Sequence, residues 1–201
     1  MATEALPQIA MGEPVSTAAA RVDRSEERAL VEACQRGERE AFDVLVTRYQ
    51  RHVYRLCYRY VNDHSDANDL AQEAFLKAYK AIGRFRGDAA FSTWLYRIAV
   101  NTCLNFRAAR KPQAEPLAES LADGRRGVGE EIERRERAGR VREAVERLPE
   151  KQRLTLILKI YQDLTHEQVA EILGSSVGTV KANLFHALGN LRRLLQAGGT
   201  S

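Results

Sequence analysis

Thr93, Arg97, Asn101 and Asn105 recur at intervals of four with Trp94 beside them, which brings together a hydroxyl, a guanidinium, two amides and an indole. Nothing in that set makes or breaks a covalent bond. On one side of a helix the indole and guanidinium can stack on unpaired bases, and the amides can read base edges. A solvated polar face with Trp94 turned into a core is the competing reading of the same stripe. Just upstream, the glycine-bounded loop GRFRGDAA (83–90) carries Phe85 between Arg84 and Arg86. A basic loop with an aromatic, set against a helix N-terminus, suits a pocket for an extruded base, and an ordinary helix connection is the plainer alternative.

The element that must position these groups is the run FSTWLYRIAVNTCLNFRAARK, from Phe91 to Lys111. It holds no Gly or Pro until Pro112, and Ser92 offers an N-cap, so a single long helix is predicted. Its inward side is predicted at Leu95, Ile98, Ala99, Thr102 and Phe106. Between Arg84 and Lys111 six basic residues face the single acid Asp88. That local excess says more than the whole chain, where 31 Lys and Arg against 27 Asp and Glu leave a net charge of only +4.

Two further stretches carry recognition chemistry. A helix predicted from Asp66 to Ile82 has its core stripe at Leu70, Ala71, Ala74, Phe75, Ala78 and Ile82. Its opposite face presents Asp69, Gln72, Glu73, Leu76 and Lys80, and an apolar side chain set among charges there predicts a protein contact, although a lone exposed leucine is also ordinary surface. Near the C-terminus, Thr165-His166-Glu167-Gln168 reads as a capping box that opens a short helix to Leu173. Gly174 permits a left-handed turn, Ser175 or Ser176 caps again, and a last helix runs from Val177 to about Gln196. Cap, glycine and apolar spacing together make a helix-turn-helix, packed through Val169, Ala170, Ile172, Leu173, Val180, Leu184 and Ala187.

The remaining chain supplies scaffold. Residues 1–24 are predicted to be disordered, a short helix follows from Ser25 to Gly37, and Glu38 to Val61 is a long amphipathic helix. Pro112, Pro116, Gly124, Gly127 and Gly129 mark residues 112–129 as a flexible linker. Glu130 to Leu148 resumes as a helix in which six Glu balance six Arg, and Pro149 opens another from Glu150 to about Gln162. The predicted fold class is all-α: two small helical domains, a four-helix domain at 25–111 and a helix-turn-helix domain at 130–201.

Several classes of function find no support. Cys34, Cys57 and Cys103 lack zinc-ligand spacing and a disulfide pattern, and they read as small core residues of a reduced, cytoplasmic protein. The histidines at 52, 64, 166 and 186 are dispersed, with no nucleophile arrangement or phosphate loop, so neither an enzyme nor a cofactor is expected. No apolar run approaches a membrane span, and no membrane insertion is expected. A stand-alone helix-turn-helix regulator with an N-terminal sensor or dimerisation bundle is the alternative that these observations leave open.

Taken together, DANDLAQEAFLKAYKAI, FSTWLYRIAVNTCLNF, LPEKQR and LTHEQVAEILGSSVGTVKANL resemble, in order and spacing, the extracytoplasmic-function sigma factors of bacterial RNA polymerase, over roughly residues 38–111 and 142–196. The resemblance implies a promoter-recognition subunit that binds core RNA polymerase through Asp69, Gln72, Glu73, Leu76 and Lys80. It implies that Phe85, Arg86, Phe91, Thr93, Trp94, Arg97, Asn101 and Asn105 engage the melted −10 element. By the same resemblance Thr179, Lys181, Ala182, Asn183, Phe185 and His186 face the duplex −35 element. Many family members carry Arg or Ser-Arg in the middle of that helix; Ala182, Asn183, His186 and Leu188 here imply more shape readout or amide-to-base pairing. An anti-sigma factor is implied as a further partner.

Overall fold

The computed structural model describes residues 24–110 and 130–197, with the side chains of 130–135 excepted. The expected disordered segment, but for Arg24, and the expected linker lie outside the described residues. So does Lys111.

Eight α-helices make up the described chain: α1 (Arg24–Gln35), α2 (Arg39–Val61), α3 (His64–Ala81), α4 (Phe91–Ala109), α5 (Glu130–Glu146), α6 (Glu150–Leu156), α7 (His166–Leu173) and α8 (Val177–Ala197). No strand occurs among the described residues, and none of their helices is long and apolar enough to cross a membrane. The first four helices form one unit and the last four another.

Local chemistry explains most boundaries. Gly37, at φ +96°, turns the chain from α1 into α2, and Asn62 in the left-handed region ends α2 with its N–H on the Tyr58 carbonyl. The Asp63 carboxylate accepts from the Asp66 N–H and caps α3, so that helix begins at His64, two residues ahead of the predicted Asp66. α4 also begins earlier than expected. Ala90 occupies the N-cap with no side-chain bond, and Ser92 is already helical. The predicted helix from Glu150 to Gln162 is α only to Leu156; Ile157–Tyr161 winds as a π-helical stretch.

The first unit is built on α2, whose Leu45, Val53, Leu56, Cys57 and Tyr60 are fully enclosed by α3 and α4. Glu27 from α1 is buried there too, accepting a 2.7 Å hydrogen bond from the Tyr49 hydroxyl. Cys57 and Cys103 sit in this core with their sulfurs 3.7 Å apart as free thiols, whereas Cys34 is only half-buried. In the second unit Ala144, Val145, Leu148, Leu156, Ala187 and Leu191 form a small core of their own.

The units are not separate beads. Leu154, Ile157, Leu158, Val169, Ala170, Ile172 and Val180 of the second unit join the same apolar cluster as the residues of α2, α3 and α4. Consequently α4 is buried on two sides. Leu95, Ala99 and Thr102 are inward as predicted, Ile98 and Phe106 are only half-buried, and Tyr96, Val100 and Cys103 form a second buried stripe that the prediction missed. That second stripe partly faces α7, which runs against α4.

Candidate nucleic-acid interface

α4 holds its polar residues on what remains of its circumference. Arg97, Asn101 and Asn105 are exposed and Trp94 is half-exposed, as a ridge requires. Thr93 and Phe91, expected on that surface, are instead 4% and 3% exposed. The reason is geometric: an i, i+4 ladder drifts about 40° per step, so Thr93 falls beside the buried Tyr96–Val100 stripe and not in line with Arg97, while Phe91 packs inward on Tyr49 with ring centroids 5.7 Å apart. Thr93 and Phe91 therefore support the ridge from beneath.

At the start of α4 the rings gather. Phe85 lies 5.0 Å from Trp94 and 6.1 Å from Phe91, and Phe91 lies 5.6 Å from Trp94, all tilted or edge-on. The loop that brings Phe85 there turns through Gly87 at φ +75° and is pinned by α1. Gln35 donates from one amide nitrogen to the carbonyls of Ile82 (3.0 Å) and Phe85 (2.8 Å). Sequence reasoning missed Gln35 altogether, since its partners are 47 and 50 residues away. Arg84 and Arg86 flank the cluster and are exposed.

The positive patch is smaller than its residue count. Arg110 is bound to Asp66 on α3 at 2.6 Å and lies over the Phe106 ring at 4.4 Å. Arg107 sits 5.9 Å from the Tyr60 ring, and Arg97 donates to the backbone carbonyl of Glu171 on α7. Arg84 and Arg86 are left as the cations nearest the aromatic cluster.

On the far side of the first unit, α2 and α3 border an open groove of about 980 Å³ lined by Phe42, Val46, Tyr54, Phe75, Leu76 and Tyr79 among others. Leu76 stands 60% exposed at its edge. Asp69, Gln72, Glu73 and Lys80 are exposed on the same helix, and Glu73 pairs with Lys77 at 2.7 Å. The face is thus an apolar slot rimmed by both charge signs.

The helix-turn-helix has the local chemistry its sequence demanded. Thr165 accepts from the Gln168 N–H while the Gln168 side chain accepts from the Thr165 N–H, closing the capping box at both ends. Gly174 turns the chain at φ +59°, and Ser176 caps α8 through the Thr179 N–H at 3.1 Å. On α8, Thr179, Lys181, Ala182, Phe185 and His186 are exposed and Asn183 is half-buried. Phe185 is 75% exposed, with the His186 ring edge-on at 5.7 Å. So large an apolar ring in water, mid-helix, calls for a contact that covers it.

No cluster of His, Cys, Asp or Glu able to hold a metal occurs among the described residues.

Comparison with known proteins bears on these surfaces. Residues 45–113 match the family described as Sigma-70 region 2, and residues 138–191 match Sigma-70, region 4. The RNA polymerase sigma-H factor of Pseudomonas aeruginosa is 40% identical over 86% of this chain and 95% of its own. The ECF RNA polymerase sigma-E factor of Escherichia coli K12 is 41% identical over 80% of this chain and 90% of its own. Among solved structures, CnrH in complex with the cytosolic domain of CnrY shares the fold, with a TM-score of 0.65 at 24% identity over 86% of this chain and 98% of that one.

Proposed function

The chain belongs to the extracytoplasmic-function group of the sigma-70 family and directs RNA polymerase to promoters; from that premise we propose how its surfaces divide the task. The exposed face of α3, with Leu76 at its centre and Asp69, Gln72, Glu73 and Lys80 around it, binds core RNA polymerase. The Phe85–Phe91–Trp94 cluster and the ridge of Arg97, Asn101 and Asn105 hold the melted −10 strand. Helix α8 enters the major groove at the −35 element.

The physical task at −10 is to offset the cost of unstacking. Extruding a base costs a few kcal/mol, and stacking on an aromatic side chain returns about 1–3 kcal/mol per base. Phe85 and Trp94, with rings 5.0 Å apart, supply the stacking surface, and Arg84 and Arg86 beside them supply phosphate contacts. No bond is made or broken by the protein in this scheme, so it acts by binding alone. At −35 the capped α8 presents Phe185 to a thymine methyl, Asn183 and Lys181 to base edges, and Arg192 and Arg193 to phosphates.

Core polymerase and promoter DNA are the partners this assigns, in the cytoplasm where both are found. An anti-sigma factor is assigned as a third partner, on the support that the sigma factor RpoE of Bartonella quintana, which shares the fold, was solved in complex with the anti-sigma factor NepR. The stand-alone regulator is not favoured, because region 2 and region 4 are both matched.

One observation carries the division of labour: an aromatic cluster flanked by exposed arginines in one unit and a fully capped helix-turn-helix in the other. Run-off transcription by core polymerase with this protein on a genomic promoter library tests it. Promoter-specific transcripts are expected, and their absence with active core rejects the reading.

A further inference from the structure

Phe85 reaches the aromatic cluster on a turn that holds itself by one backbone bond. Ile82–Arg84 winds as a single 3-10 turn, and the Phe85 N–H closes it on the Ile82 carbonyl at 3.0 Å. Gly83 and Gly87 stand on either side of Phe85 with no Cβ to limit the backbone, and Gly87 occupies φ +75°. Left to itself, such a turn swings. What stops it is Gln35, the last residue of α1, whose amide nitrogen donates to the carbonyls of both Ile82 and Phe85 and so ties the two ends of the turn together. Among the described residues no other side chain hydrogen-bonds residues 83–90.

The mounting of that amide is firm. Val31 lies in the core of the first unit, Glu27 is buried against the Tyr49 hydroxyl, and Glu26 pairs with Arg48 at 3.0 Å, so α1 is fixed along α2. Gln35 itself is exposed. Its loss opens no cavity in the core, so folding has little to gain from its two bonds. The aim of the Phe85 ring has more. A stacking ring already in place when a base arrives spares the complex the cost of ordering the loop, whereas a ring on a free loop must be ordered at the expense of affinity.

We propose that Gln35 is a positioning residue for strand capture: by holding the Ile82 and Phe85 carbonyls, it sets the Phe85 ring beside Trp94 before the strand arrives, without touching DNA itself. The inference rests on the reading of the Phe85–Phe91–Trp94 cluster as the −10 surface. α1 thereby becomes part of promoter opening, although it contributes no side chain to the stacking surface. Only a donor can serve here, because both groups it holds are acceptors.

The test uses the full chain as wild type, Gln35→Met, Phe85→Ala and the double variant Gln35→Met/Phe85→Ala. Methionine keeps the length of the side chain, adds no charge and removes both bonds; Gln35→Ala is read the same way should Gln35→Met fold poorly. Trp94 is the only tryptophan of the chain, so its emission reports the ring cluster directly. In free Gln35→Met the emission is expected to move to the red and to be quenched more readily by acrylamide, with the melting temperature and core affinity unchanged. In holoenzyme, a fluorescein-labelled single strand bearing the nontemplate −10 sequence of a promoter from which that holoenzyme initiates should bind Gln35→Met about tenfold more weakly than wild type. On the Phe85→Ala background the same substitution should cost nothing further, since Gln35 acts through Phe85. Wild-type emission or wild-type strand binding in Gln35→Met overturns the inference, as does an undiminished tenfold loss on the Phe85→Ala background. The two levels part at Phe85→Ala and Trp94→Ala: normal strand binding by both in holoenzyme rejects the −10 surface itself, whereas their loss of binding beside a normal Gln35→Met rejects the positioning role alone.

Discussion

The Tyr49 hydroxyl donates a 2.7 Å hydrogen bond to Oε1 of Glu27, the buried carboxylate by which α1 is fastened to α2. α1 in turn carries Gln35, which pins the loop of Phe85, so this one bond stands behind the geometry of the aromatic cluster. Tyr49→Phe leaves the carboxylate buried without that donor, and a loss of about 1–3 kcal/mol is expected. Urea unfolding followed by circular dichroism measures it. Glu27→Gln, which keeps an acceptor oxygen for Tyr49, should lose less.

Alkaline pH should act through the same residue and two others. Burial is the first cause that raises the pKa of Tyr49, Tyr60 and Tyr96, with carboxylate partners adding to it for Tyr49 (Glu27) and Tyr60 (Glu150). A tyrosine whose folded pKa lies above its unfolded value near 10 keeps its contribution below pH 10 and loses it as the pH climbs further, because the unfolded chain releases the proton first. The melting temperature is therefore expected to hold between pH 8 and about 9.5 and to fall beyond about 10. Tyr96→Phe should flatten that fall, and an equally steep decline in the variant would count against the assignment.

Leu76→Asp replaces a side chain that is already in water, so stability should change by no more than about 0.5 kcal/mol. Affinity for core polymerase is expected to drop tenfold or more, since an apolar contact at the centre of an interface is typically worth about 1–3 kcal/mol. Fluorescence anisotropy of labelled protein titrated with core reads both limbs of the binding curve. Unaltered affinity refutes the α3 face.

Phe85→Ala and Trp94→Ala remove the stacking surface and should slow opening of a duplex promoter about ten- to a hundredfold, with core binding retained. Transcription from a pre-melted template should recover most of the loss. Equal defects on both templates would mean that the rings serve some step other than strand capture.

Phe185→Ala tests the other end of the promoter. The ring is 75% exposed, so folding should be indifferent, whereas binding to a duplex bearing the −35 sequence should weaken by about 1–3 kcal/mol in a mobility-shift titration. The loss should concentrate on one T·A position.

The elements themselves were legible because each leaves a local mark. The Thr165 box, Gly174 and the Gly37 turn were all predicted from residues within four positions of the feature, and the sequence periodicity placed α2 and α3 to within two residues. The exposed Leu76 was also legible, as an apolar residue on a face otherwise polar, whereas Phe185 was placed outward by the resemblance alone. What escaped was anything that depends on distant chain. The stripe Tyr96, Val100 and Cys103 was present in the sequence, but one helix with two apolar stripes signals a second neighbour only if both stripes are counted. Gln35 and the inward turn of Thr93 have no local signal, since each is decided by what packs against it.

The π-helical stretch Ile157–Tyr161 has a quiet consequence. Such winding accommodates one residue more than an α-helix would in the same axial length, and so rotates everything downstream by roughly a quarter turn or more. Tyr161 and Gln162, which meet Arg59, Tyr96 and His52, owe their aim to that surplus residue. Deleting one position from this coil would swing Tyr161 and Gln162 off Arg59, Tyr96 and His52, so a single codon decides whether these contacts between the units can form.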